Sequence, residues 1–322
     1  MSKRVLAVLL VVAVLCFGGV VSQSEAAFPE QPITIICPFA AGGGTDAVAR
    51  IIATLMQNDL GKPVNVVNRT GGGGVTGHQA ILQAKPDGYT IGLGTAELAM
   101  FHWVGLSDIK ASDFEPIGGV NLDSAAITVK AGTWKDYASL LADVKANKGK
   151  YTASGTVIRG IWHLAMAAWL VGAGLEPDQV RWIPLEGAAP AQQELLAGGI
   201  DMVTCSLPEV SALVNEGKLT MLAYMNDSRS PRFPDVPTLK ELGVPVSIGT
   251  WRGICGPRGI PADVLSVLEA SVKKAVDSDE FKQFMDGRGL GVRYLSAKDW
   301  GAFMVEADNQ FGDVIKAAGL SQ

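Results

Sequence analysis

Short apolar runs alternate with helical patterns along this chain, and the alternation runs its course twice. Ile33-Thr34-Ile35-Ile36-Cys37 is an apolar run ended by Pro38. Between Thr45 and Leu60, Val48, Ile51, Ile52 and Leu55 recur at helical spacing. Val64 to Val67 reads as the next strand, Gly74 to Ala84 as the next helix, and Tyr89 to Leu93 as a third strand after the turn Pro86-Asp87-Gly88. Strands separated by helices cannot pair through tight hairpins. They need crossovers, which predict mostly parallel sheets with helices on their faces.

The rhythm restarts after residue 125. Helices over Trp134 to Lys145, Ile161 to Leu170, Ala189 to Ala197 and Leu207 to Glu216 alternate with strands over Lys150 to Ala153, Val180 to Pro184, Ile200 to Cys205 and Thr220 to Tyr224. A chain of 322 residues fits about two domains. The Pro-rich stretch Ser230 to Pro245 leads back to the first domain, with Thr250 to Cys255 as the returning strand. Pro261 to Val276 and Ala297 to Ala317 are expected to be outer amphipathic helices. The expected division is residues 27–124 with 248–322 for one domain and 125–247 for the other. The fold class is α/β, with two such domains and a cleft between them.

The first residues read as an export signal spanning 1–26. Lys3 and Arg4 precede the apolar run Val5 to Val14, which is too short to span a bilayer, and Ser24-Glu25-Ala26 offers small residues for cleavage near Ala26 or Ala27. A retained anchor is the competing reading. Val14-Leu15-Cys16 lacks the small residues of a lipoprotein signal. Export places Cys37, Cys205 and Cys255 in an oxidising compartment as an odd set, each in an apolar run that suits a buried thiol. At 48% apolar and 18% charged residues the chain has the composition of a globular protein. Its net charge of −5 and lack of any basic block argue against nucleic-acid partners. A mildly acidic chain that binds an anion must do so through local positive potential.

Such potential is offered by Phe39-Ala40-Ala41-Gly42-Gly43-Gly44-Thr45-Asp46, which joins the first strand to the first helix. Glycines there let backbone approach a ligand, and the helix N-terminus presents unpaired N–H groups and about half a positive charge. Thr45 or Asp46 can cap the helix. A plain Gly-rich turn with a capping Asp is the competing reading. A second Gly-rich turn is Thr70 to Gly77. In the second domain, Ser154-Gly155-Thr156-Val157-Ile158-Arg159-Gly160 again follows a strand and opens a helix. Ligands of open α/β sheets sit at the carboxyl ends of strands, so the two loops form a clamp suited to a dicarboxylate. Arg159 is the one cation within them, able to contact a carboxylate or to face solvent. His163 can face the cleft or serve packing. Ser206, after the strand ending at Cys205, stands at a carboxyl edge with its hydroxyl available.

Cofactor and catalytic motifs are missing. Neither of these two loops has G-x-G-x-x-G, and the chain contains no G-x-x-x-x-G-K-[ST], no G-x-S-x-G elbow, and no His/Cys/Asp set with metal-ligand spacing. With only His78, His102 and His163 as histidines, no cofactor, metal or catalytic residue is expected.

The run FPEQPITIICPFAAGGGTDAVARIIA, Phe28 to Ala53, resembles the mature N-terminus of the tripartite tricarboxylate transporter receptors, the TctC or Bug family. VNRTGGGGVTG, KPDGYTIGLGT, SGTVIRGIWHLA, GAAPAQQELLAGGIDMVTCSLPE, FPDVPTLKELG and GTWRGICGPRGIP follow in the family's order, so the resemblance covers the whole mature chain. It implies a periplasmic-binding-protein (Venus flytrap, type II) fold that is periplasmic and monomeric, holds a small organic carboxylate, and delivers it to integral-membrane permease subunits. It also implies that Phe39 to Asp46, Ser154 to Gly160 and the loop at Thr95 line the cleft. Two departures bear on specificity. The second loop carries Val157, Ile158 and Arg159 where many members have a shorter one, and Cys205-Ser206 stands where many have Asp-Asn. The competing readings are a sensor subunit for a membrane signalling protein and a secreted enzyme acting on a carboxylate.

Overall fold

The computed structural model describes residues 28–185 and 187–321. The expected export segment lies outside them. In chain order the strands are β1 (Ile33–Cys37), β2 (Val64–Asn68), β3 (Thr90–Thr95), β4 (Phe114–Ser124) and β5 (Ala126–Lys130), then β6 (Thr152–Ser154), β7 (Arg181–Trp182), β8 (Met202–Val203), β9 (Leu219–Tyr224) and β10 (Gly249–Pro257). The helices are α1 (Gly44–Leu60), α2 (Val75–Leu82), α3 (Tyr137–Ala146), α4 (Ile161–Gly172), α5 (Ala188–Ala197), α6 (Leu207–Asn215), α7 (Ala262–Asp277), α8 (Asp279–Gly287) and α9 (Ala297–Ala317).

Two five-stranded sheets result, ordered β2-β1-β3-β10-β4 and β7-β6-β8-β5-β9. β1 runs parallel to β2 and β3, and β6 parallel to β7 and β8. Each sheet has one reversed strand, β10 in the first and β5 in the second. Both reversed strands have just crossed from the other sheet. A chain that enters at the carboxyl edges of the other strands must run away from that edge, so the crossing itself imposes the reversal. The two crossings are tied together: Ala125 N–H donates to Ile248 O (2.9 Å), Ile248 N–H to Met225 O (3.0 Å), and Met225 N–H to Ala125 O (2.8 Å).

Core packing follows from the apolar pattern. Val48, Ile52 and Met56 lie one turn apart on α1 and are fully buried against Ile33 and Ile35 of β1. Gly61, left-handed at φ 67°, ends α1. β4 has no alternating pattern and includes Pro116, Gly118 and Gly119. It forms because Trp300 of α9 lies where glycine side chains would be. A Cβ on Gly119 would stand 2.9 Å from Trp300 Cε3, and one on Gly253 of β10 would stand 2.4 Å from Cε2. Cys37, Cys205 and Cys255 are buried free thiols.

Candidate functional site

The carboxyl ends of β1 and β3 point toward the crossings. Thr95, last in β3, pairs with Arg252, four residues after Ile248. The second sheet offers the same edge: Ala126 N–H bonds Cys205 O (2.9 Å) and Ala125 bridges Ser206. The loops after β1, β3, β6 and β8 therefore open onto the space beside the crossings, two from each sheet.

In the first loop, Ala40 to Gly44 are exposed while Thr45 and Asp46 are buried. Gly42 adopts φ 88°, a conformation that favours glycine. Its N–H donates to Asp46 Oδ2 (2.9 Å), which also accepts from Arg50 Nε (2.9 Å). Asn68 Nδ2 donates to Asp46 Oδ1 (2.9 Å) and to Phe39 O (2.8 Å). Asp46 is thus the internal brace of the loop. Burial pushes its pKa up, but the bonds from Arg50, Gly42 and Asn68 outweigh that and hold it down to about 2. Phe39 rests on the second Gly-rich turn, where a Cβ on Gly74 would lie 3.1 Å from Phe39 Cζ.

Beneath α1 lies Arg252. Its Nε donates to Thr45 Oγ1 (3.0 Å) and its Nη1 to Asp123 Oδ2 (2.9 Å) and Asn121 Oδ1. Asp123 Oδ1 accepts from Gly291 N–H (2.7 Å). The Arg252 side chain is 11% exposed and that of Asp123 2%, so this is a buried pair beneath the first turn of α1.

Thr95 is buried and turns inward. Its hydroxyl meets Glu97 Oε2 (2.5 Å) and His78 Nε2 (3.4 Å), and His78 Nδ1 lies 2.8 Å from Gly74 O. Burial is the main reason His78 is held down to about 4, so it is neutral at pH 7. Its Nδ1–H then donates to Gly74 O, and its unprotonated Nε2 faces the Thr95 oxygen, whose proton goes to Glu97.

In the second loop, Ser154 and Gly155 are buried and Thr156 is half-buried. Thr156 O accepts from Leu185 N–H (3.2 Å) and Trp182 Nε1 (3.2 Å). Arg159 is the only non-glycine residue at positive φ among the described residues, at 63°. A left-handed residue costs about 1 kcal/mol, and here its N–H donates to His163 Nδ1 (2.9 Å). His163 stacks on Trp182 at 4.7 Å and is held down to about 4, chiefly by burial and also by the Arg159 charge. His163 therefore acts as a neutral acceptor that fixes the loop ahead of Gly160, the residue before α4. Ser206 also differs from its expected part: its N–H and hydroxyl both donate to Glu209 Oε2 (2.9 and 2.7 Å) in a capping box on α6. It is Glu209 that the loop presents.

Reasoning from sequence missed Arg252, Asn121, Asp123 and Glu97, and the capping role of Glu209. Two signals were available. Arg252 is an ionisable residue inside the apolar run from Trp251 to Cys255, where charge is rare unless paired. Ser206 and Glu209 have the S-x-x-E spacing of a capping box.

The pH response follows from these groups. Unfolded histidine titrates near 6.5 but His78 and His163 near 4, so below 6.5 the unfolded chain binds protons that the folded chain does not. Stability should fall from pH 6.5 to 4, by about 1.4 kcal/mol per pH unit for each ring. The Asp46 contribution is present above 3.8 and lost as pH falls through about 2. Urea unfolding at pH 7, 6 and 5 checks the first window. A flat profile would contradict the neutral assignments.

Two α/β sheets joined by two crossings, with strand–loop–helix units facing across them, define a solute-binding receptor of the periplasmic-binding-protein class. The family model described as tripartite tricarboxylate transporter family receptor matches residues 48–320, and the chain belongs to that family. It is 35% identical to a TctC solute-binding protein from Polaromonas, solved without ligand, over 90% of this chain and 99% of that one, with a TM-score of 0.80. MatC from Rhodopseudomonas palustris, solved with bound malate, is 25% identical over 89% of this chain and 100% of that one, with a TM-score of 0.74. Protein BugT of Bordetella pertussis is 28% identical over 91% of this chain and 90% of its own length. No helix among the described residues is long and apolar enough to cross a membrane.

Proposed function

We propose that this receptor captures a small organic carboxylate between the two sheets and presents it to the integral-membrane permease subunits of a tripartite tricarboxylate transporter. The observation that carries the reading is the pair of strand–loop–helix units, Pro38 to Thr45 and Ser154 to Ile161, on the two edges that meet at the crossings. Each aims exposed or half-buried backbone and a helix N-terminus at the same space, which suits an anion. The malate bound to MatC agrees with a ligand of this class.

In this reading the two lobes divide at residues 124/125 and 247/248, and the linked crossings act as the hinge. Ligand bridging the loops shifts the population toward a closed form. The protein acts as an exported periplasmic monomer and performs no chemistry on its ligand. The tasks of its histidines favour this over an enzyme: His78 is sealed under Thr95, and His163 spends its Nδ1 on the Arg159 N–H.

A thermal-shift screen of the chain against mono-, di- and tricarboxylates and aromatic acids tests the proposal. A ligand at one hundredfold its Kd should stabilise the protein by about 2.7 kcal/mol. No shift with any of these acids would refute it.

A further inference from the structure

The two lobes touch on both faces of the crossings. Consecutive residues of β10 mark the two faces, since neighbours on a strand point opposite ways. Arg252 reaches Thr45 at the cleft, whereas Trp251 packs on Trp300 and Phe303 of α9, with ring centroids 5.1 and 5.8 Å apart. On the cleft side the lobes meet near Gly289, where an added Cβ would stand 2.8 Å from Arg232 Nη1 and 3.5 Å from Pro208 Cα. Arg232 Nη2 also lies 3.8 Å from Asp286 Oδ1. Behind the crossings α4 touches α9, one helix from each lobe. Beside that contact is a cavity of about 660 Å³. Val171 and Gly172 of α4 line one wall and Phe303 and Gln310 of α9 the other, with Ile248 and Trp251 of the returning crossing between them. One buried apolar cluster includes Ala168 of α4 and Phe311 of α9. Among the described residues no hydrogen bond or ion pair runs from α4 to α9. The contact is therefore apolar and non-directional, and it can part without leaving a polar group stranded.

A pivot with contacts on both faces works as a balance. A rotation that brings the loops together across the cleft draws α4 away from α9, so the contact behind the crossings opposes closure. We propose that the α4–α9 contact sets the resting share of closed receptor, and that bulk placed in its cavity drives the cleft shut. This rests on the hinge-closing receptor reading and adds where the hinge is balanced. Apparent affinity scales with the share of binding-competent protein. A change behind the crossings then alters ligand affinity without touching any residue of the cleft.

Two variants place an aromatic ring in the cavity from opposite walls, Val171→Trp and Gln310→Trp. Val171 is half-buried and Gln310 exposed, so neither change enters the core. Val305→Trp is the control, an exposed position on α9 that does not line this cavity. Small-angle X-ray scattering of the proteins without added acid should give both variants a smaller radius of gyration than wild type and control. Calorimetric titration with the best acid of the thermal screen should show both variants binding about fivefold tighter or more, the lower end of usual coupling between sites, and the control unchanged. Three results would overturn the inference. One is unchanged scattering in either variant, and another is the same compaction in the control. The third is compaction without tighter binding, or tighter binding without compaction, since the two must move together. In each of these the carboxylate reading stands. If no acid of the screen binds the wild-type chain, that reading falls, and the scattering comparison by itself decides whether the α4–α9 contact sets the lobe balance.

Discussion

Replacing Arg252 with methionine is expected to lower the unfolding free energy by about 3–5 kcal/mol, the cost of leaving one member of a buried ion pair behind. Asp123 is the member left. Its side chain is 2% exposed, and without Arg252 it keeps only the Gly291 N–H as a partner. The loss also reaches the cleft, because Arg252 Nε holds the Thr45 hydroxyl in the first turn of α1. Ligand affinity should therefore fall together with stability. A second change, Asp123→Asn in the same chain, removes the stranded charge and should restore part of the stability but not the contact with Thr45. Urea unfolding of the two variants separates these effects. A loss below about 1 kcal/mol in Arg252→Met would mean that the pair is solvated like a surface ion pair.

Gly77→Ala should weaken ligand binding about tenfold or more while costing about 1–3 kcal/mol of stability, the usual range for an overpacked site. A Cβ at Gly77 would stand 2.4 Å from Pro38 Cα and 2.7 Å from Arg69 O. Both are backbone and neither yields alone, because Arg69 N–H is bonded to Cys37 O (2.8 Å) at the end of β1. The displacement is passed to the residues that begin the first loop. Gly287→Ala is the control: its Cβ would meet nothing within 4 Å, and its effect should be small. Thermal unfolding and calorimetric titration of both variants check the contrast. Unchanged affinity in Gly77→Ala would mean that the position of the first loop does not set binding.

Much of this arrangement was legible in the sequence because its determinants are local. The apolar run of β1, the one-turn spacing of Val48, Ile52 and Met56, and the glycine strings before α1 and α4 act within a few residues of one another. β4 and β5 were not legible. β4 lacks alternation, and its glycines make sense only with Trp300 folded onto them from far along the chain. The reversed direction of β5 and β10 was also hidden, because direction within a sheet is set by where the chain crosses and not by composition. The loops of the site were visible as backbone features. Its charges were not, since Arg252 meets Asp123, and Thr45 meets Arg252, only through tertiary structure. Ser206 shows the limit of reading a hydroxyl as a ligand donor: its partner stands three residues away in its own helix cap.

The central claim is that one carboxylate is shared between loops from both sheets. Calorimetric titration of wild-type protein, Gly43→Trp and Thr156→Trp with the best ligand from the thermal screen tests it most directly. Gly43 is exposed, with Ala40 O the nearest atom to an added Cβ at 3.8 Å, and Thr156 is half-buried, so both substitutions fill the cleft without entering the core. The account predicts one site per wild-type chain and loss of binding in each variant, with thermal unfolding of the free proteins little changed. Wild-type affinity in either variant, or two independent sites in the wild-type chain, would contradict it.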